Sequence, residues 1–79
     1  MSGIVKRSLE IAGHRTSVSL EEDFWSALRE IAAERDVPIR ALVAEIDAKR
    51  GDNNLSSAIR LFVLAHFRGK AANQGPANV

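Results

Sequence analysis

The chain has 79 residues, 46% of them apolar and 5% aromatic, with a formal net charge of +1 and no cysteine. That length bounds the answer to one small globular domain, with a core limited enough that oligomerisation is a common remedy. The missing thiols exclude a disulfide framework and any thiolate metal site. No apolar run reaches transmembrane length and no signal-peptide core opens the chain, so a cytoplasmic protein without membrane contact is expected.

Residues 1–4 read as a frayed start. From Val5 to Ile11 the chain alternates, with Val5, Arg7, Leu9 and Ile11 on one side. Gly13-His14 suits a two-residue turn, because glycine supplies a positive φ. That turn would set Ile11 opposite Thr16, Glu10 opposite Ser17 and Leu9 opposite Val18. Directly opposed residues share a face, so the apolar positions line up. The alternative is a loose N-terminal arm.

The next stretch, Arg15 to Leu20, alternates again. Successive side chains of a strand point to opposite faces, so Thr16, Val18 and Leu20 rest on a core while Arg15, Ser17 and Ser19 face outward. The outward set offers one guanidinium and two hydroxyls, hydrogen-bonding groups of little bulk. Positive charge gathers early, in Lys6, Arg7, His14 and Arg15, and negative charge follows at once in Glu21, Glu22 and Asp23.

Those three acids suit the positive end of a helix running from Glu22 to Arg35. Phe24, Leu28, Ile31 and Ala32 recur at helical spacing, and Trp25 widens the stripe as a core or interface anchor; base stacking is its lesser alternative. Asp36-Val37-Pro38 breaks the pattern. Pro38 suits the first turn of a second helix, Pro38 to Lys49, whose apolar stripe is Ile39, Leu42, Val43 and Ile46. Arg50-Gly51-Asp52-Asn53-Asn54 is a turn. A third helix follows from Leu55 to Arg68, with Ser56 or Asn54 as its cap. It is apolar nearly all round, which predicts burial in an assembly. Residues 69–79 carry no periodicity and read as a disordered tail, leaving residues 5–68 as the domain.

The stretch Gly13 to Glu21, together with Phe24-Trp25, Leu42-Val43-Ala44-Glu45-Ile46-Asp47 and Asn54-Leu55-Ser56-Ser57-Ala58-Ile59-Arg60, resembles the ribbon-helix-helix (MetJ/Arc-like) superfamily of DNA-binding proteins, in a small bacterial branch with an added third helix. The resemblance covers residues 5–68. It implies a mainly α fold with a short β ribbon, folded as an intertwined homodimer in which each strand pairs antiparallel with its mate and the ribbon enters the DNA major groove. Carried onto this sequence, Arg15, Ser17 and Ser19 become the base contacts. Arginine suits guanine, and serine can donate or accept at either base type. The same resemblance makes Thr16, Val18, Leu20, Trp25, Leu42 and Ile46 the dimer core. It places the N-terminus of the second helix, at Pro38-Ile39-Arg40, against a backbone phosphate. This chain has Asp36, Val37 and Pro38 where the family has glycine and serine or threonine, and Asp36 opposes an anion there. The start of the third helix, Leu55-Ser56-Ser57, is the other candidate for that contact.

Lys6 and Arg7 are further phosphate contacts, or else they solubilise an arm. Glu10 beside the reading face would repel phosphate. His14 reads as a turn residue and His66 as an interface histidine. With 2 histidines and no cysteine, no metal site or cofactor is expected. Nothing in the chain assembles a nucleophile, a phosphate loop or a carboxylate pair, so catalysis is not expected. Two functions remain. One is a dimeric, sequence-specific DNA-binding regulator of transcription acting on double-stranded DNA. The other is an antitoxin-like or other interaction module whose ribbon serves dimerisation only, with a protein partner on the third helix.

Overall fold

A computed structural model describes residues 3–74. The alternating residues at the start of the chain form an antiparallel hairpin of two eight-residue strands, β1 (Ile4–Ile11) and β2 (His14–Glu21). Three helices follow: α1 (Glu22–Arg35), α2 (Ile39–Lys49) and α3 (Leu55–Gln74). The inner face of the hairpin packs on the helices. Val18, Leu20, Trp25, Leu28, Ile31, Leu42, Val43 and Ile59 are the large side chains closed off from solvent at its centre.

The expected hairpin is present, but its turn is one residue earlier. Ala12 and Gly13, at φ 51 and 84, occupy the two turn positions, an arrangement of the type I′ kind that matches strand twist. The register is therefore Ile11 with His14, Glu10 with Arg15, Leu9 with Thr16, Ser8 with Ser17 and Arg7 with Val18. Relative to the register expected from Gly13-His14, each β1 residue meets the β2 residue two positions earlier. The slip is even, so every side chain keeps its expected face.

Among the residues expected at a dimer core, Val18, Leu20, Trp25, Leu42 and Ile46 are buried within the single chain, and Thr16 is half-buried. The third helix explains this, because Ala58, Ile59 and Val63 belong to the same cluster and cover it. Trp25 is 1% exposed, and its indole Nε1 donates to the Val5 carbonyl at 2.9 Å, which leaves no ring face for a base.

Each helix boundary has a local cause. Asp36 takes the left-handed conformation after α1, and its N–H returns to the Ala32 and Ala33 carbonyls. Pro38 stands just outside α2 as its N-cap rather than in its first turn. Arg50 braces the next turn, donating to Asp47 Oδ1 at 2.6 Å and to the Asn53 carbonyl at 2.7 Å. Asn54 caps α3, with its Oδ1 accepting from Ser57 N at 3.0 Å. Helix α3 runs to Gln74, six residues beyond the expected Arg68, so residues 69–74 are helical rather than part of a disordered tail. The rest of that expected tail, residues 75–79, lies outside the described residues, as do residues 1–2 of the expected frayed start. The start is tied where it is described: Glu22 N donates to Gly3 O at 3.2 Å.

Candidate nucleic-acid interface

The outer face of the hairpin carries Ile4, Lys6, Ser8 and Glu10 from β1 and Arg15, Ser17, Ser19 and Glu21 from β2. The register sets them in four cross-strand pairs: Ile4 with Glu21, Lys6 with Ser19, Ser8 with Ser17, and Glu10 with Arg15. All are exposed except Ser19 and Glu21, which are half-buried. Among the described residues, Lys6, Glu10 and Arg15 form no ion pair, so both cations are available to an incoming anion or base edge. The sequence expectation names Arg15, Ser17 and Ser19 but omits Ser8. The alternation of β1 carries that signal, since Val5, Leu9 and Ile11 inside require Lys6, Ser8 and Glu10 outside.

Arg7 sits on the opposite face. Its guanidinium lies 5.4 Å from the centre of the Trp25 ring and 3.7 Å from Glu22 Oε1. The structure therefore separates Lys6 from Arg7, which the sequence groups as phosphate contacts. The reason is again strand alternation: Arg7 lies opposite Val18 on the inner face, and its guanidinium stands over the indole.

A two-residue turn makes Ile11 and His14 a mutually hydrogen-bonded pair, and the pattern repeats every second residue. The backbone groups of Arg15, Ser17 and Ser19 consequently point away from β1, along the open edge of β2. The Ser19 carbonyl accepts from Ser56 Oγ at 3.0 Å, which anchors the start of α3 beside that edge. At the end of the same strand Arg60 donates from Nε to Glu21 Oε1 at 3.0 Å, and its Nη2 stands 2.9 Å from the same oxygen as an ion pair. The backbone N–H of Glu21 and then the Arg60 guanidinium hold the Glu21 carboxyl below its ordinary pKa.

The two helix N-termini differ. That of α2 has no side-chain cap, and its first hydrogen bonds run from Ala41 and Leu42 to the Pro38 carbonyl. The N–H groups of Ile39 and Arg40 are left without partners among the described residues, beside an exposed Arg40 side chain. The α3 start is already capped by Asn54. No group of three or more potential metal ligands occurs among the described residues. No described helix is long and apolar enough to cross a membrane.

The model of a family described as a ribbon-helix-helix domain matches residues 4–67. No curated protein matches the chain. Among solved structures, an uncharacterized protein from Bordetella pertussis Tohama I is similar, with 30% sequence identity and a TM-score of 0.77. The match covers 96% of this chain and 65% of that one, so this chain spans a little under two thirds of its relative's length. With the hairpin, the helix pair behind it and a family match running from the first strand through most of α3, the chain belongs to the ribbon-helix-helix domain family.

Proposed function

We propose that the protein is a homodimeric, sequence-specific DNA-binding regulator that presents the outer face of its ribbon to the major groove of double-stranded DNA. One observation carries the reading. The outer face holds an unpaired arginine and small hydroxyls, while Val18 and Leu20 on the inner face of the same strand are buried in the core. Arg15 is placed to meet guanine, and Ser17 and Ser19 to meet base edges of either kind. Lys6 meets the backbone, and the uncapped N–H groups of Ile39 and Arg40 offer a second phosphate contact. Asp36 is the local opposition to an anion there. Dimerisation proceeds through the open edge of β2, with Thr16 next to the seam. The family is one of DNA-binding proteins rather than catalysts, which supports a regulator over an enzyme.

An anisotropy titration with mixed-sequence duplex DNA at two salt concentrations tests the reading. Phosphate contacts make binding fall steeply with salt. Absence of binding at low salt removes it.

A second reading has its own observation. Helix α3 leaves Leu61 and Leu64 exposed at 56% and 51%, beside a groove lined in part by Ile46, Ala58 and Phe62. An antitoxin-like module would use that surface for a protein partner, with the ribbon kept for dimerisation. Leu61→Asp separates the two: it abolishes partner binding under this reading and leaves DNA binding intact under the first.

A further inference from the structure

The hairpin has a consequence for how a dimer meets DNA. β1 is fixed to the body of the fold. It pairs with β2 along its whole length, Val5 and Leu9 pack against the core, Ile11 is buried within it, and Trp25 Nε1 holds the Val5 carbonyl at 2.9 Å. It cannot leave when β2 acquires a partner on its other edge. Two copies joined through β2 therefore make a four-stranded sheet in the order β1, β2, β2 of the second copy, β1 of the second copy.

The outward backbone groups of β2 belong to Arg15, Ser17 and Ser19. Antiparallel pairing centred on Ser17 engages all of them, setting Ser17 against its own copy and Arg15 against Ser19 of the second chain. The carbonyl of Ser19 keeps a lone pair for this after accepting from Ser56. On the outer face the middle row then reads Ser8, Ser17, Ser17, Ser8 across the sheet. Each flanking row reads Glu10, Arg15, Ser19, Lys6, with no like charges directly opposed.

Width decides what this sheet can do. Strands lie about 4.8 Å apart, so the outer pair stands roughly 14 Å apart, while the major groove is about 12 Å wide and admits a two-stranded ribbon. We propose that the two β2 strands alone enter the groove and that the two β1 strands ride on its walls, each holding a phosphate through Lys6. Base reading and backbone grip are thereby divided between the strands of one hairpin. This rests on the DNA-binding reading above. A single hairpin entering the groove by itself is the competing arrangement, and it would put Lys6 and Glu10 among the bases.

The chain has no cysteine, so single replacements give clean probes. Ser17→Cys places two thiols on a hydrogen-bonded pair with Cα atoms about 5.5 Å apart, within disulfide reach. It should oxidise to a covalent dimer without DNA, whereas Ser8→Cys, with its copies roughly 14 Å apart, should not. A folded Ser17→Cys protein that forms no disulfide, or a Ser8→Cys protein that cross-links as fast, overturns the sheet. In DNA titrations, Lys6→Gln should weaken binding equally on a selected and a scrambled duplex. It should also lower the salt slope by about 1.8, for two phosphate contacts per dimer. An unchanged slope, or a loss confined to the selected duplex, overturns the placement of β1 while leaving DNA binding standing. Failure of the unaltered protein to bind any duplex removes the functional reading and the placement of β1 with it, and the cysteine pair still decides the sheet.

Discussion

The two faces of the hairpin are made by the same residues in alternation, yet they do opposite things. On the inner face Val18 and Leu20 are 1% and 0% exposed, and even the charged Arg7 is held against Trp25. On the outer face Lys6, Ser8, Glu10, Arg15 and Ser17 are exposed. The inner face is determined by folding, because removing any of its large side chains opens the core. The outer face is not needed for folding over most of its length, so its composition is free to serve recognition. One strand thus supplies both the anchor of the domain and its presented surface.

The largest test of that contrast compares the same substitution on both faces. Val18→Asp buries an uncompensated charge, which costs about 3–5 kcal/mol. At about 0.05–0.15 kcal/mol per residue a domain of this size is stable by only about 4–12 kcal/mol, so a large share of the stability is lost. Circular dichroism should show a sharply lowered urea midpoint, or a chain already unfolded at about 25 °C. Ser8→Asp, on the outer face and away from the proposed seam, should stay within about 0.5 kcal/mol of the parent in urea unfolding. It should nevertheless lose DNA binding through repulsion of phosphate. A Val18→Asp protein with the parent's urea midpoint would mean that the faces are wrongly assigned.

Arg15→Ala carries the comparison into recognition. Loss of the proposed bidentate base contact should weaken binding to a selected site by roughly 1–3 kcal/mol, with little loss on scrambled DNA and the urea midpoint unchanged. An equal loss on both duplexes would make Arg15 a phosphate contact instead.

How much of this is legible in the sequence differs between the faces and the turn. The alternation of Thr16, Val18 and Leu20 against Arg15, Ser17 and Ser19 fixes the faces, because the strand period is two and a slip of two residues leaves it intact. The turn is harder to read. Gly13 announces a positive φ, but Ala12, at φ 51, does not, since alanine carries no chemistry that marks a left-handed position. The pairing of Glu10 with Arg15 escapes the sequence for that reason alone. The end of α3 is hidden by Gly69, which looks like a stop signal yet lies inside the helix with α1 beside it; Glu34 pairs with both His66 and Lys70 across that contact. The burial of Leu42 and Ile46 within one chain is equally invisible. An apolar stripe shows that something covers it, not whether the cover is the third helix or a second copy.

The turn yields a smaller effect. An L-residue in the left-handed region carries a strain of about 1–2 kcal/mol, which asparagine tolerates better than alanine. Ala12→Asn should therefore raise stability by up to about 1 kcal/mol in urea unfolding, giving the Asn-Gly pair favoured in such turns. No change or a loss would indicate that the turn relaxes to another type in solution.

The smallest effect concerns the place where the contrast between the faces breaks down. Glu21 closes the outer face of β2, but it serves the fold, because Arg60 binds it from α3 and stacks 5.7 Å from the centre of the Phe24 ring. Its carboxyl is held below its ordinary pKa by its own backbone N–H first and by Arg60 second. A carboxyl with a lowered folded-state pKa contributes stability that is fully present above its unfolded value and is lost as pH falls through the folded one. Glu21→Gln should therefore be slightly less stable than the parent at neutral pH, and the difference should close as the pH drops through the acid range below the usual glutamate titration. Urea midpoints of both proteins across that range measure it. A constant difference would mean that glutamine changes packing rather than charge, and no difference at neutral pH would mean that the Arg60 pair is screened by solvent. The same substitution removes a negative charge from the end of the proposed reading face. A stability loss accompanied by tighter binding to scrambled DNA would show that this end of β2 trades recognition for attachment to α3, whereas the rest of the strand does not.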